Sequence, residues 1–259
     1  MFRRDEKRGD ILMKVLILAG GKGTRLQSEK FNLPKALRKL KEKTLIEHVL
    51  DNASFIEAKD IYIVIGYKRE MILEVIDNKY NFVIQEQQLG TGHAAMVTEE
   101  FLKNYDEDLL LLYGDMPLIS KSILKKFIKC HGDKHSKCTI MTAIFENQPP
   151  YGRIIRDKEG NFKRVVEEKD CSQEELKIKE LNCGPYIINS KILFKSLKKL
   201  KNNNNNNQKE YYLTDVPEII KEMGIEINIF INDTCKEMIG VNTLEDLKEC
   251  ETLIETNFK

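Results

Sequence analysis

The stretch "LILAGGKGTRLQSEKFNLPK", residues 16–35, places an apolar run directly before a glycine-rich turn. The run belongs to a predicted strand, residues 14–18, and further apolar, β-branched strands follow, separated by stretches with helical spacing. Runs that are apolar throughout suit strands buried on both faces, and the alternation implies right-handed crossovers. The sequence therefore predicts an α/β fold built on a doubly wound, mostly parallel sheet.

The other predicted elements extend this pattern to the end of the chain. Further strands are predicted at 61–66, 82–85, 108–115 and 139–145. Helices are predicted between them at 44–53, 69–76, 92–102 and 121–131. The turn signal "DKEGN" then lies between two short alternating segments, which predicts a hairpin. Strands at 182–190 and 225–231 and helices at 191–200, 213–223 and 243–254 complete the prediction.

The turn after the first strand is suited to phosphate binding, because ligands of open parallel sheets bind at the carboxyl ends of the strands. Glycines leave backbone N–H groups free to converge on phosphate oxygens, and lysine and arginine add positive charge. The residues concerned are Gly20, Gly21, Gly23, Lys22, Arg25 and Lys35. The pattern is neither GxxxxGK[ST] nor GxGxxG, so a P-loop ATPase and a dinucleotide dehydrogenase lose support. A plain strand-to-helix turn stays open as the alternative.

Two more strand ends carry polar groups toward the same edge. "LLLLYGDMPL" delivers the Asp115 carboxylate, a ligand that Mg²⁺ takes together with substrate phosphates, although a helix cap or turn is the alternative. "QEQQLGTGHAAM" offers backbone donors at Gly90 and Thr91, and the Gln85 amide could read a nucleobase edge. His93 is interpreted as a helix-start residue, since no serine or cysteine nucleophile stands in a recognisable relation to it.

Composition narrows the classes of function. With 42 basic and 41 acidic side chains in 259 residues, the net charge of +1 argues against a general polyanion-binding surface, so nucleic acid is not expected as a partner. No apolar run approaches the roughly 20 residues that a membrane helix needs, and the start lacks the apolar segment of a signal peptide. We expect a cytoplasmic protein that does not bind membranes.

The cysteines and the polar tracts are expected to lie outside the functional site. Six cysteines without a CxxC pair suit reduced thiols, and a zinc site in "CHGDKHSKC" (residues 130–138) is a weak alternative that we leave out of the site. Residues 1–12 are predicted to be a disordered leader, with Met13 as an alternative start. The asparagine tract 202–207 is predicted to be a loop without function.

Nine motifs resemble, in order and approximate spacing, the uridylyltransferase domain of bacterial N-acetylglucosamine-1-phosphate uridylyltransferases. The motifs are "LAGGKGTRL", "LPKAL", "EQQLGTGHA", "LLYGDMPLI", "YGRIIRD", "VVEEKD", "ELNCGPY", "EYYLTD" and "GVNT". The resemblance implies a Rossmann-like nucleotidyltransferase domain at 13–259, with a nucleotide-binding part at 13–147. A small β-rich sugar-binding lobe and closing elements follow at 148–259. It also implies that UTP and N-acetylglucosamine 1-phosphate give UDP-N-acetylglucosamine and pyrophosphate, with Mg²⁺ as cofactor.

The resemblance also assigns roles to residues at matching positions. The implied catalytic residues are Arg25, Lys35 and Asp115. Nucleotide binding is implied for Leu18, Ala19, Gly20, Gly21, Gly23, Thr24, Gln85, Gly90 and Thr91. Sugar binding is implied for Tyr113, Gly114, Gly152, Glu167 and Asn182. The implied metal ligands are Asp115 and Asn242.

Departures from the family pattern leave alternatives open. "LAGG" stands where "LAAG" is more usual, and "NCG" puts Cys183 where a hydroxyl is expected beside the sugar. Another sugar 1-phosphate, such as glucose 1-phosphate, is therefore an alternative substrate, and a non-catalytic sugar-nucleotide-binding regulatory subunit is an alternative class. The acetyltransferase half of the bifunctional enzymes is not expected in this chain. A homo-oligomer or a separate acetyltransferase stays open as a partner.

Overall fold

The computed structural model describes residues 13–26, 32–200 and 210–257. The predicted leader 1–12 and the asparagine tract 202–207 lie outside the described residues. The strands are Lys14–Leu18 (β1), Lys39–Leu40 (β2), Lys43–Thr44 (β3), Ile61–Ile65 (β4), Asn81–Ile84 (β5), Asp108–Tyr113 (β6), Cys138–Ile144 (β7), Arg153–Arg156 (β8), Phe162–Val166 (β9), Glu180–Asn189 (β10) and Asn228–Asn232 (β11). The α-helices are Leu45–Asn52 (α1), Arg69–Val75 (α2), Thr91–Met96 (α3), Glu99–Leu102 (α4), Lys121–Asp133 (α5), Ser190–Leu197 (α6), Val216–Glu222 (α7) and Leu244–Asn257 (α8).

The central sheet has the strand order β11-β7-β10-β6-β1-β4-β5. β1 pairs in parallel with β4 and β6, β4 with β5, and β7 with β11. β10 is antiparallel to both of its neighbours, β6 and β7. The predicted α/β fold with a mostly parallel, doubly wound sheet is therefore confirmed.

Helices and loops bury both faces of the sheet. Val15 and Ile17 of β1 belong to one hydrophobic cluster, and Leu16 belongs to a second cluster on the opposite face. All three side chains are fully buried. Complete burial of such a side chain contributes about 1.5–3 kcal/mol, so the uninterrupted apolar run stabilises both layers. This is the burial that the sequence of β1 predicts.

One predicted helix, 92–102, is interrupted. The structure has two short helices there, α3 and α4, which meet at Val97 and Thr98. The Thr98 hydroxyl is fully buried and donates to the Ala95 carbonyl at 2.7 Å. A hydroxyl that bonds to the preceding turn competes with the helical ladder, which accounts for the break.

The predicted hairpin is present as β8 and β9, joined by the turn at 157–161. It meets the sheet through the pairing of Arg153 with Leu181 on β10. Along β10 the register with β7 shifts between Asn182 and Tyr186. The irregular part of β10 lies beside the carboxyl end of β6, and there Asn182 and Gly184 line a common cavity with Gly152 and Glu167, which flank the hairpin.

Among the residues that the structure describes, no helix is both long enough and apolar enough to cross a membrane.

Candidate active site

A cleft of about 740 Å³ opens at the carboxyl ends of the parallel strands. It is lined by all nine residues predicted to bind nucleotide: Leu18, Ala19, Gly20, Gly21, Gly23, Thr24, Gln85, Gly90 and Thr91. We call it the nucleotide cleft. Its walls come from the turn after β1, from the chain that runs from β5 into α3, and from the end of β6, so the fold brings together three stretches that are far apart in sequence.

Gln85 closes one wall of the nucleotide cleft against the glycine-rich turn. A Cβ on Gly20 would lie only 2.6 Å from Gln85 Oε1, so any larger residue at this position would displace the Gln85 amide. The Gln85 side chain is buried, and its Nε2 donates to the Gly90 carbonyl at 3.2 Å. The same nitrogen lies 3.1 Å from Nδ1 of His93.

His93 supports Gln85, a role that the sequence did not indicate. An amide nitrogen only donates, so Nδ1 of His93 must accept the bond from Gln85. Burial lowers the pKa of His93, which favours the neutral ring that this acceptor role requires. The imidazole therefore fixes which way the Gln85 amide points.

The predicted catalytic and metal-binding residues meet at one point. Lys35 Nζ contacts Asp115 Oδ2 and donates to Asn242 Oδ1 at 2.8 Å. Nη2 of Arg25 reaches the same Asn242 oxygen at 3.3 Å. The Asp115 carbonyl accepts from the Val241 N–H at 2.8 Å, which ties the chain after β6 to the loop before α8. A carboxylate and an amide oxygen thus converge on one positive charge.

A second, smaller cleft of about 220 Å³ adjoins the first. We call it the sugar cleft, after the role predicted for its residues. Gly152, Glu167 and Asn182 line it together with Arg25. Four residues line both clefts: Thr91, Tyr113, Asp115 and Asn242. Gly114, which was predicted to bind sugar, lines the nucleotide cleft and not the sugar cleft, and it lies close to Ala19 of the turn after β1.

Glu167 is the buried carboxylate of the sugar cleft. Thr214 donates its hydroxyl hydrogen to Glu167 Oε1 at 2.7 Å. Burial raises the pKa of the Glu167 carboxyl, and the bond from Thr214 opposes that rise. One oxygen of the Glu167 carboxylate therefore already accepts a hydrogen bond within the protein.

Two hydroxyl-bearing residues of the sugar cleft were missed in the sequence. The Tyr151 hydroxyl accepts from the Gly240 N–H at 2.7 Å, and Gly240 in turn accepts from the Asn242 side chain at 3.1 Å. Thr214 holds Glu167, as described above. Both lie inside the quoted motifs "YGRIIRD" and "EYYLTD", but a side chain that acts through another residue leaves no pattern of its own in a single sequence.

Cys183, the departure in "NCG", lines the sugar cleft with only 2% of its surface exposed. Burial raises the pKa of its thiol well above the usual range. Its Sγ lies 3.7 Å from the Leu181 carbonyl. The residue therefore presents a neutral, weakly polar surface to the cleft in place of a hydroxyl.

The zinc alternative at residues 130–138 finds no support. His131 is buried, with Nδ1 2.7 Å from the Thr139 hydroxyl and Nε2 3.2 Å from Asp108. His135 is exposed on the following turn. Within the described ranges, no three His, Cys, Asp or Glu residues are grouped so that they could hold a metal ion.

Comparisons with known proteins place the chain in a class. The model of the family described as "Nucleotidyl transferase" matches residues 14–241, so the chain belongs to the nucleotidyl transferase family. The resemblance drawn from the nine motifs is confirmed at this level.

Individual relatives are similar over nearly all of this chain. A protein of Caldanaerobacter subterraneus named bifunctional protein GlmU is 40% identical over 239 residues, 92% of this chain and 51% of its own length. Its namesake in Clostridium acetobutylicum is 43% identical over 229 residues, 88% of this chain and 49% of its own. The chain thus spans about half the length of the curated relatives it matches.

A solved structure supports the fold. A UDP-glucose pyrophosphorylase complexed with UDP-glucose superposes with a TM-score of 0.74, covering 95% of this chain and 100% of that one. The sequences are 21% identical, so this likeness bears on the fold alone.

Proposed function

We propose that this chain transfers UMP from UTP to N-acetylglucosamine 1-phosphate, giving UDP-N-acetylglucosamine and pyrophosphate. The observation that carries the proposal is the pair of adjoining clefts that share Asp115 and Asn242, with Lys35 and Arg25 at their junction. Two anionic substrates that react with each other need cationic groups at the point where their phosphates meet. The motif resemblance supports the choice of base and sugar.

On the nucleotide side, the turn after β1 supplies backbone N–H groups for the triphosphate. Gly20 and Gly21 leave that backbone bare, and Lys22 lines the same cleft. The base is assigned to the wall formed by Gln85 and the Gly90–Thr91 turn. Both hydrogens of the Gln85 Nε2 are already donated, to the Gly90 carbonyl and to His93, so Gln85 offers its Oε1 as an acceptor to the edge of uracil.

On the sugar side, Glu167 and Asn182 are the polar groups assigned to the sugar hydroxyls and the amide. Both line a cleft whose other walls include Tyr113 and Gly152. A Cβ at Gly152 would lie 2.6 Å from Val165 Cγ1, so glycine keeps this wall close to β9. A buried carboxylate that loses a hydroxyl partner is left with an unmet acceptor, which gives such a cleft selectivity.

Mg²⁺ is the cofactor assigned to the junction. The residues fit it, because Asp115 and Asn242 present hard oxygens that already converge on one cation, the Lys35 ammonium. Mg²⁺ takes one or two protein oxygens together with substrate phosphates. Once bound, it supplies Lewis-acid neutralisation of phosphate charge.

The chemistry then needs no protein nucleophile. An oxygen of the sugar 1-phosphate, already anionic near neutral pH, attacks the α-phosphorus of UTP. The new bond joins that oxygen to the α-phosphorus, and the bond to the β-phosphate oxygen breaks, so that pyrophosphate leaves with the electron pair. Lys35 and Arg25 offset the charge on the transferred and leaving groups, and the two clefts hold the reactants in line.

A homo-oligomer or a separate acetyltransferase as partner remains a prediction, and so does a cytoplasmic location.

The test is pyrophosphate release by the purified chain with Mg²⁺. UTP, dTTP, CTP and ATP are each combined with the 1-phosphates of N-acetylglucosamine, glucose, galactose and N-acetylgalactosamine. We expect a preference of at least tenfold for UTP with N-acetylglucosamine 1-phosphate. A preference for another pair would keep the reaction class and overturn the substrate, whereas tight sugar-nucleotide binding without turnover would favour a regulatory subunit.

A further inference from the structure

The chain that leads into α7 is bonded to the loop of the nucleotide cleft. The Tyr211 N–H donates to the Leu89 carbonyl at 3.0 Å, and the Gly92 N–H donates to the Tyr211 carbonyl at 2.8 Å. The Leu213 N–H donates to the Thr91 hydroxyl at 3.1 Å. Three hydrogen bonds therefore hold residues 211–214 against the loop of the nucleotide cleft that contains Leu89, Thr91 and Gly92. We call residues 211–214 the bridging segment.

The same contact is tightly packed. A Cβ on Gly90 would lie 2.6 Å from the Tyr211 carbonyl oxygen, and one on Gly92 would lie 3.0 Å from the same oxygen. Leu213 is fully buried. Close packing of this kind leaves the bridging segment no room to slide along the loop.

The far end of the bridging segment lies in the sugar cleft. Thr214 lines that cleft, is 7% exposed, and bonds to Glu167 Oε1 at 2.7 Å. Its backbone is held by Leu213 on one side and by the fully buried Val216 on the other. The hydroxyl therefore comes to Glu167 from a fixed scaffold rather than from a mobile side chain.

The surroundings of Glu167 oppose its negative charge. The ionisable groups that act on it or feel its charge are Asp170, Glu210, Asp215, Lys169, Cys171, Tyr113, Tyr186 and Tyr212. Of these only Lys169 is basic. The hydrogen bond from Thr214 favours the charged form of Glu167, because a donor stabilises a carboxylate more than a carboxylic acid.

We propose that Thr214 is a positioning residue: its hydroxyl holds the Glu167 carboxylate in the orientation that receives the sugar of the sugar 1-phosphate. This inference rests on the function proposed above and adds a residue to the sugar cleft. Thr214 acts through Glu167 and takes no part in the phosphate chemistry.

The first test compares Thr214→Val with Thr214→Ser. Valine keeps the volume of threonine and removes the hydroxyl, so KM for the sugar 1-phosphate rises about tenfold, while KM for UTP stays within about twofold. As pH falls, KM for the sugar 1-phosphate begins to rise at a higher pH in the valine variant than in the wild type. Serine restores both the KM and the pH profile, since it keeps the donor. Unchanged sugar KM in the valine variant, or a serine variant as impaired as valine, would overturn the inference.

A second measurement needs no turnover. Carbon-13 NMR of labelled glutamate carboxyls follows the titration of Glu167 in wild type, T214V, T214S and T214A, with E167Q to assign the signal. We expect the Glu167 pKa to move upward in the valine and alanine variants and to stay near the wild-type value in the serine variant. Thermal unfolding checks that each variant is folded, and the smaller alanine serves if valine is not. If the wild type releases no pyrophosphate, the proposed function fails, and an unmoved titration would separately overturn the role of Thr214.

Discussion

Lys35, Asp115 and Asn242 form a cluster whose value for stability is small. The Lys35 and Asp115 side chains keep 15% and 23% of their surfaces exposed. Ion pairs with such access to solvent contribute about 0–1 kcal/mol to folding. Arg25 also meets the Asn242 oxygen, so two cations share one amide acceptor. The proposed binding of phosphates and Mg²⁺ would account for this concentration of charge, whereas its small contribution to stability does not.

The first prediction at this scale concerns Asp115→Asn. The amide keeps the shape of aspartate and removes the negative charge that we assign to Mg²⁺ binding, so turnover falls by at least about 10²-fold. The folded state is retained, because the lost ion pair is partly exposed. Pyrophosphate release as a function of Mg²⁺ concentration, together with the melting temperature, checks both halves of the prediction.

Asp133→Asn is the matched control for that variant. Asp133 lies on α5, is exposed, and pairs with Lys129 on the helix surface. It has no place in either cleft, so the variant should retain wild-type turnover. Near-normal turnover in Asp115→Asn under the same conditions would remove Asp115 from the metal assignment.

The role of Asp115 is easier to predict from the sequence than the role of Thr214, for a physical reason. Asp115 lies two residues after the end of the buried strand β6, and parallel strands bring their carboxyl ends to one edge, so local sequence places its carboxylate at the crevice. Thr214 acts on Glu167 from 47 positions away, and His93 acts on Gln85 through a hydrogen bond. Contacts of this kind exist only once the chain is folded.

At the scale of elements, β10 shows where sequence reasoning ends. The run after Gly184 is apolar, and the prediction of a strand there is confirmed. Its position between β6 and β7, antiparallel to both, depends on long-range pairing. An apolar run fits any strand buried on both faces, so the pattern carries no information about neighbours or direction. The short hairpin of β2 and β3 was missed for a simpler reason, since each strand has only two residues.

The bulge of β10 yields a prediction about stability. Gly184 has φ +93°, and a Cβ there would lie 2.9 Å from the ring of Tyr113. Gly184→Ala therefore adds backbone strain of about 1–3 kcal/mol and also displaces a ring that lines both clefts. We expect a lower free energy of unfolding in urea and a raised KM for both substrates.

Gly224→Ala separates the two causes. Gly224 has a similar φ of +79°, but a Cβ there would meet no atom within 4 Å. The variant should lose only the stability that the positive φ costs, with both KM values unchanged. Equal losses of stability in the two variants would show that the contact with Tyr113 has no cost of its own.

At the scale of the whole molecule, the near balance of charge hides a local excess. The chain carries +1 overall, whereas the negative charge of Asp170 disfavours ionisation of Glu167, and the charges of Glu167 and Asp170 disfavour ionisation of Asp215. Burial is the main cause that raises the pKa of Asp215, to about 6, and the nearby carboxylates add to it. This acidic region borders the sugar cleft. Lys35 and Arg25, by contrast, lie where the two clefts meet, the position proposed for the substrate phosphates. Composition alone does not show this separation, because it depends on how the fold distributes the charges.

This arrangement predicts how stability depends on pH. The pKa of Asp215 is higher in the folded than in the unfolded chain, so between about pH 4 and 6 the unfolded state releases a proton that the folded state keeps. The free energy of unfolding should therefore fall as pH rises through this window. Asp215→Asn removes the titration, so its free energy of unfolding should fall less than that of the wild type between pH 4 and 7. Urea unfolding at a series of pH values measures the difference, with Asp233→Asn, at an exposed position, as the control. Parallel pH curves for wild type and Asp215→Asn would mean that this carboxyl is not held protonated by the fold.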